Sequence, residues 1–231
     1  YRGGGVLSYI ENIKNLKITE NQYKCEVCRD IGYLIENGSA KECECRYTIY
    51  KKLLPVRHRN ADFSKLDYSN LDKVTGLMDM INYYKRTPLK KVTKGVYLQG
   101  DVGRGKTMLA CAIFNNYLGQ GRLKFIVVDE LIRKIKEAFN SEVDFDLSQY
   151  MEADLLILDD LGAEKTTEFV EAEIYNVINY RYNKKLPTII TSNINWNDLP
   201  NKYEMNGKRI ASRISEMCGS FNLNGKDYRR K

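Results

Sequence analysis

Gly100-Asp101-Val102-Gly103-Arg104-Gly105-Lys106-Thr107 satisfies the pattern G-x-x-x-x-G-K-[ST] at every position. The residue types follow from phosphate chemistry. Glycines let successive backbone N–H groups turn inward and approach phosphate oxygens closely. A helix opening at Lys106 and continuing through Met108 aims its positive end at the same anion. Lys106 is placed to reach the β- and γ-phosphates of a nucleotide, and the Thr107 hydroxyl to hold Mg2+. The loop follows a short apolar run, Gly95–Gln99, so it joins a strand to a helix as the pattern requires.

Downstream, Leu155-Leu156-Ile157-Leu158-Asp159-Asp160 is an apolar run ending in two carboxylates. In a parallel sheet this strand would lie buried near the glycine loop, with its acidic end facing the metal and the γ-phosphate. Asp159 is the candidate for orienting Mg2+ and Asp160 the candidate general base for an attacking water. Pro187-Thr188-Ile189-Ile190-Thr191-Ser192-Asn193 repeats the design, an apolar run with a polar tip. Asn193 is the candidate to touch the γ-phosphate or the water.

Between these motifs strands alternate with helices, which predicts parallel β-α-β units with ligands at the carboxyl ends of the strands. The expected strands are Gly95–Gln99, Leu123–Asp129, Leu155–Leu158 and Thr188–Thr191. The expected helices are Lys106–Leu118, Glu130–Phe139, Glu168–Tyr182 and Lys208–Met217. Residues 1–20 carry Leu7, Ile10, Ile13 and Leu16 at near-helical spacing.

The six cysteines are not scattered. Cys25-x2-Cys28 and Cys43-x-Cys45 flank a hairpin-like stretch with turn signals at Gly32 and Asn37-Gly38. Four thiolates can close a tetrahedral Zn2+ site, and a module of about fifty residues has little core without one. An iron–sulfur cluster is the minor alternative, and His58 could replace one cysteine. Cys111 and Cys218 fall in expected helices and read as packing residues. A basic stretch around Pro55 and His58 separates the two parts, giving domains at 1–55 and 56–231.

Composition sets limits. The 231 residues are 43% hydrophobic and 29% charged, ordinary for a globular chain. No apolar run approaches the roughly 20 residues of a membrane-spanning helix, and the opening Tyr1-Arg2-Gly3-Gly4-Gly5 shows no secretory signal. The expectation is a cytoplasmic protein that does not engage membranes, with residues upstream of Tyr1. The net charge of +7 is compatible with a nucleic-acid or acidic partner.

Taken in order, the loop, LLILDDLG at 155–162, NVINYRYNKKLPTIITSN at 176–193, SRI at 212–214 and DYR at 227–229 resemble the DnaC/DnaI-type helicase loaders, a branch of the AAA+ ATPases. The resemblance spans about residues 60–231, and the cysteine module resembles that of Gram-positive loaders. It implies an α/β AAA+ P-loop ATPase with a central parallel sheet and a reduced lid, preceded by a small zinc-binding module. It also implies that Arg213 is an arginine finger acting on ATP in a neighbouring subunit, Arg229 the sensor-2 arginine and Asn193 sensor 1. The helix at 130–139 would face single-stranded DNA, with Phe139, Thr167 and Phe169 as strand contacts. For the two phenylalanines, core packing is the equal alternative. Implied partners are a replicative hexameric helicase, single-stranded DNA and further copies of the chain in an ATP-dependent oligomer. The chain departs from many members in carrying Asp159-Asp160 where they carry Asp-Glu. An IstB-type transposition helper has a very similar core and is the second reading. A zinc-containing nucleotide sensor that binds nucleic acid is the third. Tyr68 and Leu71 are candidates for the adenine pocket.

Overall fold

The computed structural model describes residues 25–29, 31–36, 38–71, 73–140, 145–225 and 227–228. The helix expected over residues 1–20 and the candidate Arg229 lie outside them. The chain divides into two compact units between Tyr50 and Lys51.

In the first unit, β1 (Tyr33–Glu36) and β2 (Ser39–Glu42) pair antiparallel, with Glu36 opposite Ser39 across the turn. Helix α1 (Cys45–Leu53) follows. Arg46 lies over the Tyr33 ring at 4.5 Å and pairs with Glu42 at 3.7 Å.

The second unit is built on five parallel strands in the order β4-β5-β6-β3-β7. They are β3 (Gly95–Gln99), β4 (Leu123–Val127), β5 (Leu155–Asp159), β6 (Thr188–Ser192) and β7 (Cys218–Asn222). β5 and β6 are buried along their whole length. That is why their sequences are continuous apolar runs rather than alternating ones. The longer helices are α2 (Leu77–Arg86), α3 (Lys106–Asn116), α4 (Val128–Asn140), α5 (Glu168–Asn183) and α6 (Gly207–Met217). α3 is apolar nearly all round, with Leu109 to Phe114 buried, as a helix enclosed in the core must be.

Three elements differ from the sequence expectation. The strand expected to reach Asp129 stops at Val127, and α4 begins at Val128. Among the described residues β4 pairs only with β5, whose last residue Asp159 sits opposite Val127, so the ladder ends there. β7 carries too little local pattern to be read, and α2 is not among the expected helices although Leu77, Ile81 and Tyr84 recur at helical spacing and are buried. Cys218, expected in a helix, opens β7; both it and Cys111 are buried. Burial pushes the Cys218 thiol up to about 12.

Arg181 of α5 is wholly buried. Its guanidinium donates to Thr188 Oγ1, to the carbonyls of Tyr150, Met151 and Ala153, and to that of Pro187, all at 2.7–3.0 Å. It thereby ties the approach to β5 and the start of β6 to α5. Desolvation pulls its pKa down to about 9.

Beyond β6, the single tryptophan, Trp196, meets Tyr97 of β3 edge-on at 5.3 Å. Its backbone N–H donates to Gln99 Oε1, the residue before the glycine loop.

Candidate functional site

β6 lies between β3 and β5, so the strand order alone places Thr191, Ser192 and Asn193 between the glycine loop and the acidic pair. Gly100 and Gly103 have φ of +136° and +83°. A Cβ at Gly100 would sit 2.5 Å from Leu223 O, and one at Gly103 would strike the Asp227 carboxylate. The glycines thus serve the tail of the chain as well as the loop. The Tyr228 N–H donates to Gly103 O at 2.9 Å.

Lys106 is 5% exposed. Its ammonium donates to Gly100 O at 2.7 Å, Asp101 O at 2.9 Å and Asn193 Oδ1 at 2.7 Å. Three donors are all that an ammonium has. Arg104 pairs with Asp101 at 3.4 Å. The Thr107 hydroxyl donates to Asp159 Oδ1 at 3.0 Å. Burial raises the Asp159 carboxyl above the ordinary range; the hydroxyls of Thr191 and Thr107 and the charge of Lys106 oppose that, and Asp160 adds to it. Asp160 stands in the left-handed region at φ +58°, a conformation that costs a non-glycine residue about 1–2 kcal/mol.

A cleft of about 560 Å3 opens over the loop, within the size range of small-ligand sites. Val102 through Met108, Asp160, Asn193 and Tyr228 form one wall; Arg57, His58, Lys65, Leu66 and Asp67 form the other. The second wall was not legible. His58, a possible replacement for one cysteine on sequence grounds, lines this cleft. Tyr68 does not: its hydroxyl donates to Phe63 O at 2.5 Å, and Leu66 and Asp67 line the cleft instead. Pro55 just before Val56-Arg57-His58 is the sequence signal that a turn brings this stretch back.

The Thr107 hydroxyl and the Asp159 carboxylate converge at the end of the loop. Hard oxygen ligands suit Mg2+. In the other unit, the four sulfurs of Cys25, Cys28, Cys43 and Cys45 all lie within 4.8 Å of one another. The Cys25–Cys43 and Cys28–Cys45 pairs stand at 3.7 and 3.3 Å. A tetrahedral Zn–S shell sets sulfurs about 3.8 Å apart, so this set fits Zn2+. The Gly32 N–H donates to Cys28 Sγ at 3.2 Å. A hydrogen bond from the Cys28 backbone lowers Cys25 to about 7.

Arg213 is not in the cleft. On α6, Arg209 lies over the Tyr175 ring at 4.1 Å, and Arg213 lies over Tyr182 at 4.5 Å while donating to Asn179 Oδ1 at 3.2 Å. The two guanidiniums stand one helical turn apart, each over the ring of a tyrosine of α5. The start of α6 is fixed by the buried Glu171, whose carboxylate accepts the N–H groups of Glu204, Met205 and Asn206.

Phe139, at the end of α4, is 82% exposed and meets Phe169 edge-on at 6.1 Å. Phe169 also packs against the core. Thr167 caps α5 by accepting the Val170 N–H. The three candidate strand contacts therefore adjoin one another, and Phe139 is not a core residue.

A glycine loop between β3 and α3, with an acidic strand end and a polar strand end beside it on a 4-5-6-3-7 parallel sheet, defines a P-loop nucleotide-binding protein of the AAA+ type. The chain belongs to the family of IstB-like ATP binding proteins, whose model matches residues 29–231. The replicative helicase loader DnaI of Bacillus subtilis (strain 168) is 26% identical over 251 residues, covering 96% of this chain and 80% of that one. The crystal structure of the DnaC helicase loader aligns with a TM-score of 0.64 at 25% identity, over 74% of this chain and 100% of the other. That of DnaI aligns with a TM-score of 0.64 at 27% identity, over 78% and 98%.

Proposed function

We propose that the chain hydrolyses ATP and uses the nucleotide cycle to load a replicative hexameric helicase onto single-stranded DNA. The observation that carries this reading is the convergence of Lys106, Thr107, Asp160 and Asn193 on one cleft, with the buried Asp159 bonded to Thr107 behind it, in a chain similar along 96% of its length to a helicase loader.

An incoming triphosphate would replace the three acceptors now held by Lys106 with β- and γ-phosphate oxygens, while the loop N–H groups from Gly100 to Thr107 cradle the rest. Mg2+, held by Thr107 and Asp159, would neutralise charge on the phosphates. Asp160 would take the proton of the attacking water, and Asn193 would hold that water or the γ-phosphate once Lys106 has let go of it. Arg213, now over the Tyr182 ring, would enter the cleft of a neighbouring copy and stabilise the transition-state charge there. Arg229, the last residue of the DYR segment whose Tyr228 lines the cleft, would serve as the sensor-2 arginine. Residues 1–55 would form a zinc module that holds the helicase, with hydrolysis as the release switch. Phe139 and Phe169 would stack bases of the strand near Thr167.

The family match also favours a second reading, an ATPase helper of transposition. The decisive measurement is the mass of the complex formed when the purified chain is mixed with its host's hexameric helicase, with and without ATP. A defined complex that requires residues 1–55 is expected. Its failure to form with zinc and ATP present would overturn the loader reading in favour of the transposition helper.

A further inference from the structure

Thr191 has no exposed surface and sits on β6 between the loop strand and the acidic strand. Its hydroxyl donates to Asp159 Oδ1 at 2.7 Å and accepts the Asp160 N–H at 2.9 Å. Its carbonyl accepts the Leu161 N–H at 2.8 Å. The polarity of this bridge is fixed. An amide can only donate and an ionised carboxylate can only accept, so the hydroxyl offers a lone pair to Asp160 and directs its proton to Asp159. Asp159 Oδ1 therefore accepts two hydroxyls, those of Thr191 and Thr107. Asp159 Oδ2 accepts no hydrogen bond among the described residues, which makes it the oxygen left for a metal or its water shell. The same bridge pins the amide of Asp160, the residue whose backbone is held in the left-handed region.

We propose that Thr191 is a positioning residue for both acids: one hydroxyl selects which oxygen of Asp159 serves the Mg2+–nucleotide complex and fixes the backbone that presents Asp160 to the cleft. The inference rests on the ATPase reading. It distinguishes Thr191 from Thr188 on the same strand, whose hydroxyl serves Arg181 in the core.

The test compares Thr191→Val, which keeps the shape and loses both bonds, with Thr191→Ser, which keeps the hydroxyl. A fluorescent ATP analogue is titrated into the full chain in magnesium-free buffer and again with Mg2+, and turnover is measured beside it. Thr191→Val should bind the analogue like wild type without Mg2+, lose about tenfold or more of the affinity gained on adding Mg2+, and lose turnover by a similar or larger factor, the scale of a hydrogen bond to an ionised group. Thr191→Ser should keep most of both. Should the valine variant fail to fold, Thr191→Ala takes its place against Ser. A full Mg2+ gain in Thr191→Val, or an equal loss in Thr191→Ser, would overturn the proposal and leave the ATPase reading standing. A wild-type chain that binds no nucleotide would overturn both.

Discussion

The five-stranded unit and the cysteine unit solve the same problem, holding polar groups in a fixed geometry, by opposite means. In the first, Lys106, Thr107 and Asp159 extend from strands and a helix whose side chains are almost wholly buried, and each makes hydrogen bonds to its neighbours. In the second, two strands of four residues, largely exposed on both faces, support four sulfurs. Burial sets the first site before any ligand arrives. In the second, the described residues bury little apolar surface, so a bound metal would supply much of the free energy. Geometry of comparable precision can therefore rest on very different amounts of core.

The largest expected effect breaks this contrast or confirms it. Zinc analysis should find one ion per chain, and chelation, or Cys28→Ser, should release it. Structural zinc contributes about 10–16 kcal/mol in small modules, so amides of β1 and β2 should lose hydrogen-exchange protection while those of β5 keep theirs. Retained protection in β1 and β2 after zinc loss would end the comparison. Next in size, Lys106→Ala should lower ATP turnover by about 100- to 1,000-fold without altering zinc content or the unfolding midpoint. Arg213→Ala should lower turnover about as much or more yet leave nucleotide affinity intact. A mixture of the two variants should regain activity if the arginine acts between copies; no recovery would place Arg213 outside the reaction.

Arg181→Met tests the core that the first unit relies on. It leaves several buried carbonyls without their donor and should lower stability in urea by about 2–4 kcal/mol, with zinc still bound. The smallest effect is at the surface. Phe139→Ala should leave stability unchanged, because the ring is 82% exposed, and should weaken single-stranded DNA binding by about 1–3 kcal/mol. An unchanged affinity would remove Phe139 from the strand path.

What could be read from the sequence follows the same division. The glycine loop, the two strand-end acids and the four cysteines are dictated locally: phosphate and metal chemistry demand those residue types at those spacings. Thr191 was not legible as a functional group, because its importance lies in the register of β5 beside β6, where Leu158 faces Ile190 and Asp159 comes next to Thr191. The wall of Arg57, His58, Leu66 and Asp67 was hidden for a similar reason, since turns of single-turn helices return it to the loop without any periodic pattern. α4 starts earlier than its apolar run suggests because the partner strand runs out. Propensity sets what a segment prefers, and the sheet sets where it stops.

Trp196 offers an experimental convenience. It is the chain's one tryptophan, its ring rests on Tyr97, and its amide is hooked to Gln99. Excited beyond the absorption of the 17 tyrosines, the unlabelled protein thus emits from a single indole fastened to the residue at the threshold of the glycine loop. A rearrangement of that loop on filling or emptying should register as a change in intensity or wavelength in a stopped-flow trace. The molecule carries its own optical gauge, and the order of nucleotide, metal and partner arrival can be timed without attaching a dye.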